Sequence, residues 1–256
     1  MSTPELVLRD DHAATRVLTL NRPDQRNALS RALIHRLDER LDDAIADPAI
    51  RVIVLAGAGT VFCAGMDLKE SLAASTSDDP LAAFALVLEK LHKAPKPTIA
   101  AVQGDAIAGG AGLLTACDLA ITTPNTRIGY PEARRGLVAA VVMHDLVEHV
   151  GLSRARRLLL TGELIPAQLA REWGLVSDVV AGEDCLPEAL QMAARLAECG
   201  PRALAAVKLL LDQRSGRPGD PMTAVNASSS ARRSDEAREG IQAFLEKRPP
   251  VWPTIP

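Results

Sequence analysis

A chain of 256 residues, 47% of them apolar and with a formal net charge of −3, can build one large domain or two small ones around an ample core. The near-neutral balance gives no indication of a basic nucleic-acid surface, and three Phe, two Trp and one Tyr leave little of the usual material for base-stacking platforms. Uncharged stretches such as residues 107–117 fall short of the ~18 to 20 apolar residues that cross a bilayer, so no membrane span is expected.

The opening MSTPELVLRDD carries charges where an export signal needs an apolar run, which leaves a cytoplasmic location as the expectation. Cysteines 63, 117, 185 and 199 have neither paired spacing nor histidine partners at metal-site intervals. They read as reduced thiols, mostly in the core, with no metal site and no disulfide framework.

In chain order, residues 5–8 and 15–20 are β-rich runs about a polar turn and predict a hairpin. Ser30 is placed to cap a helix whose apolar residues Leu33, Ile34, Leu37, Leu41 and Ile45 recur every three or four positions until Pro48. The run RVIVLAGAG (51–59) looks like a strand buried on both faces, as do TIAAVQG (98–104) and DLAITTP (118–124). A helical stretch over 81–92 separates the first two, so the pattern is α/β with largely parallel pairing. From residue 140 on, helical periodicity dominates: 141–150, 154–160, 167–173, 186–199, 203–211 and 222–247, with VSDVV near 176 as a strand. Polar, turn-rich segments at 71–80 and 214–221 predict loops, the first a candidate lid.

Two glycine-rich turns stand out, VFCAGMDLKE (61–70) and QGDAIAGGAG (103–112). Strand carboxyl ends are where open α/β sheets hold ligands, and backbone amides opening a helix favour an anion or a developing oxyanion. Two such turns aiming two N–H groups at one oxygen would form an oxyanion hole, each donor worth about 2.7 to 4 kcal/mol in the transition state. The plainer reading is that the glycines permit close strand–helix packing.

Six segments, in order and at the expected intervals, carry a resemblance to a known family: LNRPDQRNALS (20–30), VIVLAGAGTVFCAGMDLKE (52–70), PTIAAVQGDAIAGGAGLLTACDLAI (97–121), GYPEARRGLV (129–138), LLLTGELIPAQLAREWGLVSDVV (158–180) and EGIQAFLEKRPPVW (239–252). The chain resembles the crotonase superfamily, the enoyl-CoA hydratases and isomerases, from end to end. The resemblance implies a spiral of ββα turns over residues 1–195, followed by a helical oligomerisation region at 196–256, and a homotrimer or dimer of trimers. It implies an acyl-CoA thioester substrate, with the CoA part of the substrate and no separate cofactor. The thioester oxygen would be held by the amides of Met66 and Gly109, with Gly110 beside them. The adenine would lie along Arg26 and Ala28 and near Ala64, Asp67 and Leu68, and Phe244 and Lys247 would approach the CoA of an adjacent subunit.

Hydratases of the family commonly carry two glutamates. One matches Glu132 in PEARRG; at the other position this chain has Gly112. The resemblance therefore assigns backbone donors to the turn at 107–112 and the proton chemistry to Glu132. Members that isomerise dienoyl chains or displace an aryl halide place an aspartate where Ala140 stands, which weakens those readings. The family's PGAGG is replaced by AAVVM at 139–143, followed by His144 and Asp145. His144 is a candidate second acid or base, although a histidine near a helix start is more often structural. Met66, Leu72, Phe84, Val138 and Met143 are candidate acyl-pocket liners.

A lone glutamate suits a proton shift from 3-enoyl to 2-enoyl esters, yet some members that hydrate short or branched enoyl-CoAs look like this sequence in carrying GGxGL. The resemblance favours hydration; the residue chemistry by itself slightly favours isomerisation. A non-catalytic acyl-CoA binder is a third reading, opposed by the retention of Glu132. A serine hydrolase is opposed by the absence of a G-x-S-x-G elbow.

Overall fold

The computed structural model describes residues 5–73, 80–182, 184–212 and 234–252, with 71–73, 244 and 245 described by backbone alone. The chain opens with the expected hairpin, β1 (Val7–His12) paired antiparallel with β2 (Thr15–Leu20). Its first strand lies later than the apolar run suggested, because the turn is the tight Ala13–Ala14 pair, with Ala13 at φ 51°. Helix α1 (Arg31–Ala46) starts where Ser30 Oγ accepts the Leu33 amide at 3.2 Å. Its buried face carries Leu33, Ile34, Leu37 and Leu41 of the periodic set, then Ala44, with Ile45 half-buried.

Strand β3 (Val52–Gly57) is followed by β4 (Val61–Cys63), the short α2 (Leu68–Ala73) and α3 (Leu81–Lys93). Then come β5 (Thr98–Val102), β6 (Asp105–Ile107) and α4 (Gly109–Ala116). A third unit follows: β7 (Leu119–Thr122), β8 (Arg127–Gly129), a 3₁₀ turn (Pro131–Arg135) and α5 (Ala140–Thr161), which bends at Gly151. Thus one long-sheet strand, one short-sheet strand and a helix recur three times, the ββα spiral. The chain continues through β9 (Leu164–Pro166), α6 (Ala167–Glu172), β10 (Asp178–Val179), α7 (Leu186–Ala197), α8 (Pro201–Asp212) and α9 (Asp235–Glu246).

The larger sheet has the order β1-β2-β3-β5-β7-β10, parallel beyond the opening hairpin. Alternation along β3 explains its continuous apolar sequence. Ile53 and Leu55 point into the main core with α1, α3, α4 and α5, while Val52, Val54 and Ala56 point into a second core closed by Cys185, Ala189 and Ala193 at and on α7. The smaller sheet, β4-β6-β8-β9, has three parallel neighbours and an antiparallel edge. Its three-residue strands are too short for a periodicity signal; β4 and β6 lie inside the two glycine-rich turns of the sequence.

Cys63, Cys117 and Cys185 are buried, and burial pushes each thiol up to about 12; Cys199 is exposed. Both α8 and α9 are tied to the core and to each other. Lys208 reaches Asp118 at 2.6 Å, and buried Glu236 caps α8 through the amides of Arg202 and Ala203 at 2.9 and 2.8 Å. The lid segment expected at 71–80 starts as the end of α2; residues 74–79 lie outside the described residues, as do the loop at 214–221 and the first half of the last predicted helix. Among the described residues no helix is long and apolar enough to cross a membrane.

Candidate active site

The three parallel strands β4, β6 and β8 sit side by side, ~4.7 to 4.9 Å apart as neighbouring strands are, and all end on the same edge. Within two or three residues of each end stands one of the candidate residues: Met66 after β4, Gly109 after β6, Glu132 after β8. Strand order alone thus gathers three groups far apart in sequence.

Two turns meet there. Gly65, at φ 87°, brings its Cα so close to the β6–α4 turn that a Cβ would lie 2.8 Å from Ala108 Cβ and 3.2 Å from Gly109 N. Only glycine fits that position, since it needs both a left-handed backbone and no side chain. Ala108 is itself strained, at φ 55° and ψ −120°, and its amide is held by Gly129 O of β8 at 2.8 Å. An alanine kept in such a conformation costs on the order of 1–3 kcal/mol and is a mark of functional backbone. Gly109 opens α4, where the first amides of a helix lack intrahelical partners and no side chain caps this one, so its N–H is unused. The amide of Met66 is likewise unused: Leu29 N donates to Gly65 O and Asp67 N to Leu29 O on either side of it. Among the described residues neither the Met66 nor the Gly109 N–H has a partner; Gly109 is the first of the uncapped amides that open α4, ahead of Gly112, whose amide reaches Ala108 O at 3.0 Å.

The segment 26–29 lies along the β4 turn through the Leu29–Met66 bridge and through Ala64 N to Arg26 O at 3.0 Å. The residues predicted for adenine are therefore neighbours: Arg26 and Leu68 are exposed, and Ala28, Ala64 and Asp67 are half-buried. Asp67 is engaged with Arg22 at 3.1 Å and receives the Lys69 and Glu70 amides; burial opposes its charge, but these contacts hold its carboxyl below the ordinary value. Buried Asn27 fixes the corner, its amide nitrogen donating to Ala58 O, Val61 O and Phe62 O. Gly110 turns its Cα against β4, where a Cβ would stand 2.2 Å from Cys63 O, so it serves close packing. Lys247 is exposed at the end of α9, and the Phe244 side chain lies outside the described residues.

Glu132 is in the 3₁₀ turn, which Pro131 starts and Gly136, at φ 69°, ends. The side chain is half-buried, and its Oε2 is buried without a hydrogen-bond partner. Burial raises its pKa above the ordinary 4.5, against smaller opposing effects from its own backbone amide and from Arg135. A carboxyl group that is desolvated, with one oxygen unpartnered and its pKa raised, is suited to exchanging a proton.

The wall beside these groups was partly missed by the sequence reading. Phe84, a candidate liner, is buried in the core, and its ring carbons would lie 3.3 Å from a Cβ on Gly109. Val138 and Met143, expected as liners, are exposed in the chain; Val142 and Leu88 instead close over Gly112. The Leu72 side chain lies outside the described residues. His144 is 77% exposed on its side chain and lies near Glu148, which removes the reason to place it at the chemistry. Asp145 is half-buried, and burial raises its pKa while nearby His92 and His144 lower it. Among the described residues no group of three or more His, Cys, Asp or Glu could hold a metal ion.

A family model described as enoyl-CoA hydratase/isomerase matches residues 10–254. The chain belongs to this family, the crotonases. Within it, the chain is 38% identical to the 2,3-dehydroadipyl-CoA hydratase of Escherichia coli, over 91% of this chain and 93% of that protein. It is 36% identical to enoyl-CoA hydratase EchA19 of Mycobacterium tuberculosis, over 96% and 94%. The solved enoyl-CoA hydratase of Bacillus anthracis superposes with a TM-score of 0.89 at 31% identity, covering 96% of this chain and 98% of that one. Sequence likeness and fold thus point to the same family of enzymes.

Proposed function

We propose that the protein adds water across the C2=C3 bond of a 2-enoyl-CoA thioester. The thioester oxygen accepts from the Met66 and Gly109 amides, which stabilise the negative charge that develops when C3 is attacked. Water gives one proton to the Glu132 carboxylate as its oxygen bonds to C3. Glu132 then delivers that proton to Cα of the enolate, so one carboxyl group serves both steps. The observation that carries this reading is the pair of unused amides beside a desolvated, unpartnered Glu132 oxygen. Relatives named as hydratases support the direction of the reaction. The CoA moiety would run over Arg26, Ala28, Ala64 and Leu68, and it belongs to the substrate. Mass spectrometry of a short 2-enoyl-CoA incubated in D₂O tests the reading: a product heavier by one D₂O, beyond a control without enzyme, supports it.

A second reading, conversion of 3-enoyl-CoA to 2-enoyl-CoA, is favoured by one observation: Val142 stands over the position of a second carboxyl group. Deuterium entering carbon without water addition would replace hydration with this isomerisation. Assembly into a trimer or a dimer of trimers fits α8, on which Val207, Leu209 and Leu211 are each more than half exposed. Sedimentation of the purified chain checks it.

A further inference from the structure

Three helices run in step past the site. Phe84 of α3 faces Gly109 of α4, and one turn on Leu88 faces Gly112, with Val142 of α5 completing the contact. A Cβ on Gly112 would lie 2.2 Å from Val142 Cγ1, 3.1 Å from Val142 Cβ and 3.8 Å from Leu88 Cδ1. The first distance is a clash. A valine in a helix is confined largely to one χ1 rotamer, so Cγ1 does not swing away freely. Even after such a rotation Val142 Cβ remains tight against residue 112. Val142 is 3% exposed and sits in the first turn of α5, its amide on Ala139 O at 3.3 Å, so the backbone holds it there.

We propose that Val142 is the specificity-determining partner of Gly112: together they keep this site at one carboxyl group and put an apolar wall where a second acid–base side chain would stand. The two residues exclude alternatives jointly. While residue 142 is valine, residue 112 carries no side chain, so the missing glutamate and the bulky AAVVM segment are a single feature. The reaction is then limited to what Glu132 does alone, and water reaches C3 without a second carboxylate to activate it. This inference rests on the reading of the site as an enoyl-CoA site.

The test uses four full-length proteins: the parent, Gly112→Glu, Val142→Ala and the double variant. Each is followed by thermal unfolding and by the ratio of D₂O addition to deuterium exchange at Cα with a short 2-enoyl-CoA. Gly112→Glu alone is expected to lower the melting temperature and both reactions. The double variant is expected to recover the melting temperature and to hydrate at least about ten-fold faster than Gly112→Glu, well within what a positioned acid–base group supplies. Its ratio of addition to exchange should exceed that of the parent. A Gly112→Glu protein as stable as the parent would overturn the exclusion. A folded double variant with the parent's ratio would overturn the claim that a carboxyl group can act from that place. Should the glutamate variants fail to fold, Gly112→Ala with and without Val142→Ala decides the exclusion: non-additive melting temperatures support it, additive ones overturn it. A parent protein showing neither reaction removes the functional reading, while the melting-temperature cycle still decides the packing.

Discussion

The two sheets are made of different sequence material because they are under different constraints. Strands β3 and β5 of the larger sheet are five or six residues long and buried almost throughout, each face filling a separate core. Strands β4, β6 and β8 of the smaller sheet have three residues each and end in turns built on Gly65, Ala108 and Pro131. Side-chain volume holds the first; backbone placement is the product of the second. Substitutions in the two should therefore separate stability from chemistry.

The sharpest separation is expected from Glu132→Gln. It removes the acid–base group while preserving shape, so turnover should fall about 10³-fold, within the span assigned to general acid–base groups. Binding of a CoA ester, followed by calorimetry, should persist. Gly65→Ala comes next: its Cβ would press on Ala108 and Gly109 at a backbone angle alanine avoids, displacing the paired amides. A kcat loss of about 10² to 10³-fold is expected, the size of one lost oxyanion donor. By contrast Ile53→Ala, in β3 and fully buried, should cost about 2–5 kcal/mol in denaturant unfolding and leave kcat unchanged below its melting temperature. A kcat loss in Ile53→Ala as deep as that of Gly65→Ala would erase the distinction between the sheets.

The same difference decided what the sequence could reveal. Periodicity marked the Ser30-capped helix, the buried strands β3, β5 and β7 and most of α5 to α8, because each repeats one physical demand over several residues. The short strands repeat nothing, so the second sheet was invisible to pattern. What made Met66, Gly109 and Glu132 legible was the resemblance, since their adjacency follows from strand order and not from local sequence. Val142 was visible only as a valine where the family pattern has a small residue; that it packs on Gly112 is a contact between helices. Val138 and Met143 are exposed in the chain, and neither apolarity nor position near Glu132 says which way a side chain points.

A smaller effect probes the strain at Ala108. Glycine accepts its backbone angles without penalty, so Ala108→Gly should relieve about 1–3 kcal/mol of strain and lose about 0.5–1 kcal/mol to the freer unfolded chain. A net gain of about 1 kcal/mol in unfolding free energy is the expected result. A net loss would mean that the Ala108 methyl, wedged near Gly65, supports the turn more than its backbone strains it.

The smallest effect is a pH dependence whose sign distinguishes a desolvated Glu132 from a surface ion pair with Arg135. Burial raises the native pKa above the 4.5 of the unfolded chain, so between those two values the native state binds more protons than the unfolded one. Stability is then fully present below 4.5 and declines as pH rises through the native pKa, the opposite of a salt-bridged carboxylate. A glutamine side chain does not titrate, so Glu132→Gln should be more stable than the parent at neutral pH, and the advantage should vanish in acid. Asp145, also raised by burial from 3.8, contributes the same sign and remains in both proteins, so only part of the slope disappears. Urea unfolding of the pair from about pH 4 to about pH 8 measures the difference. An advantage that instead appears on acidification would show Glu132 gaining from its charge, and would take from it the desolvation on which its role as proton carrier depends.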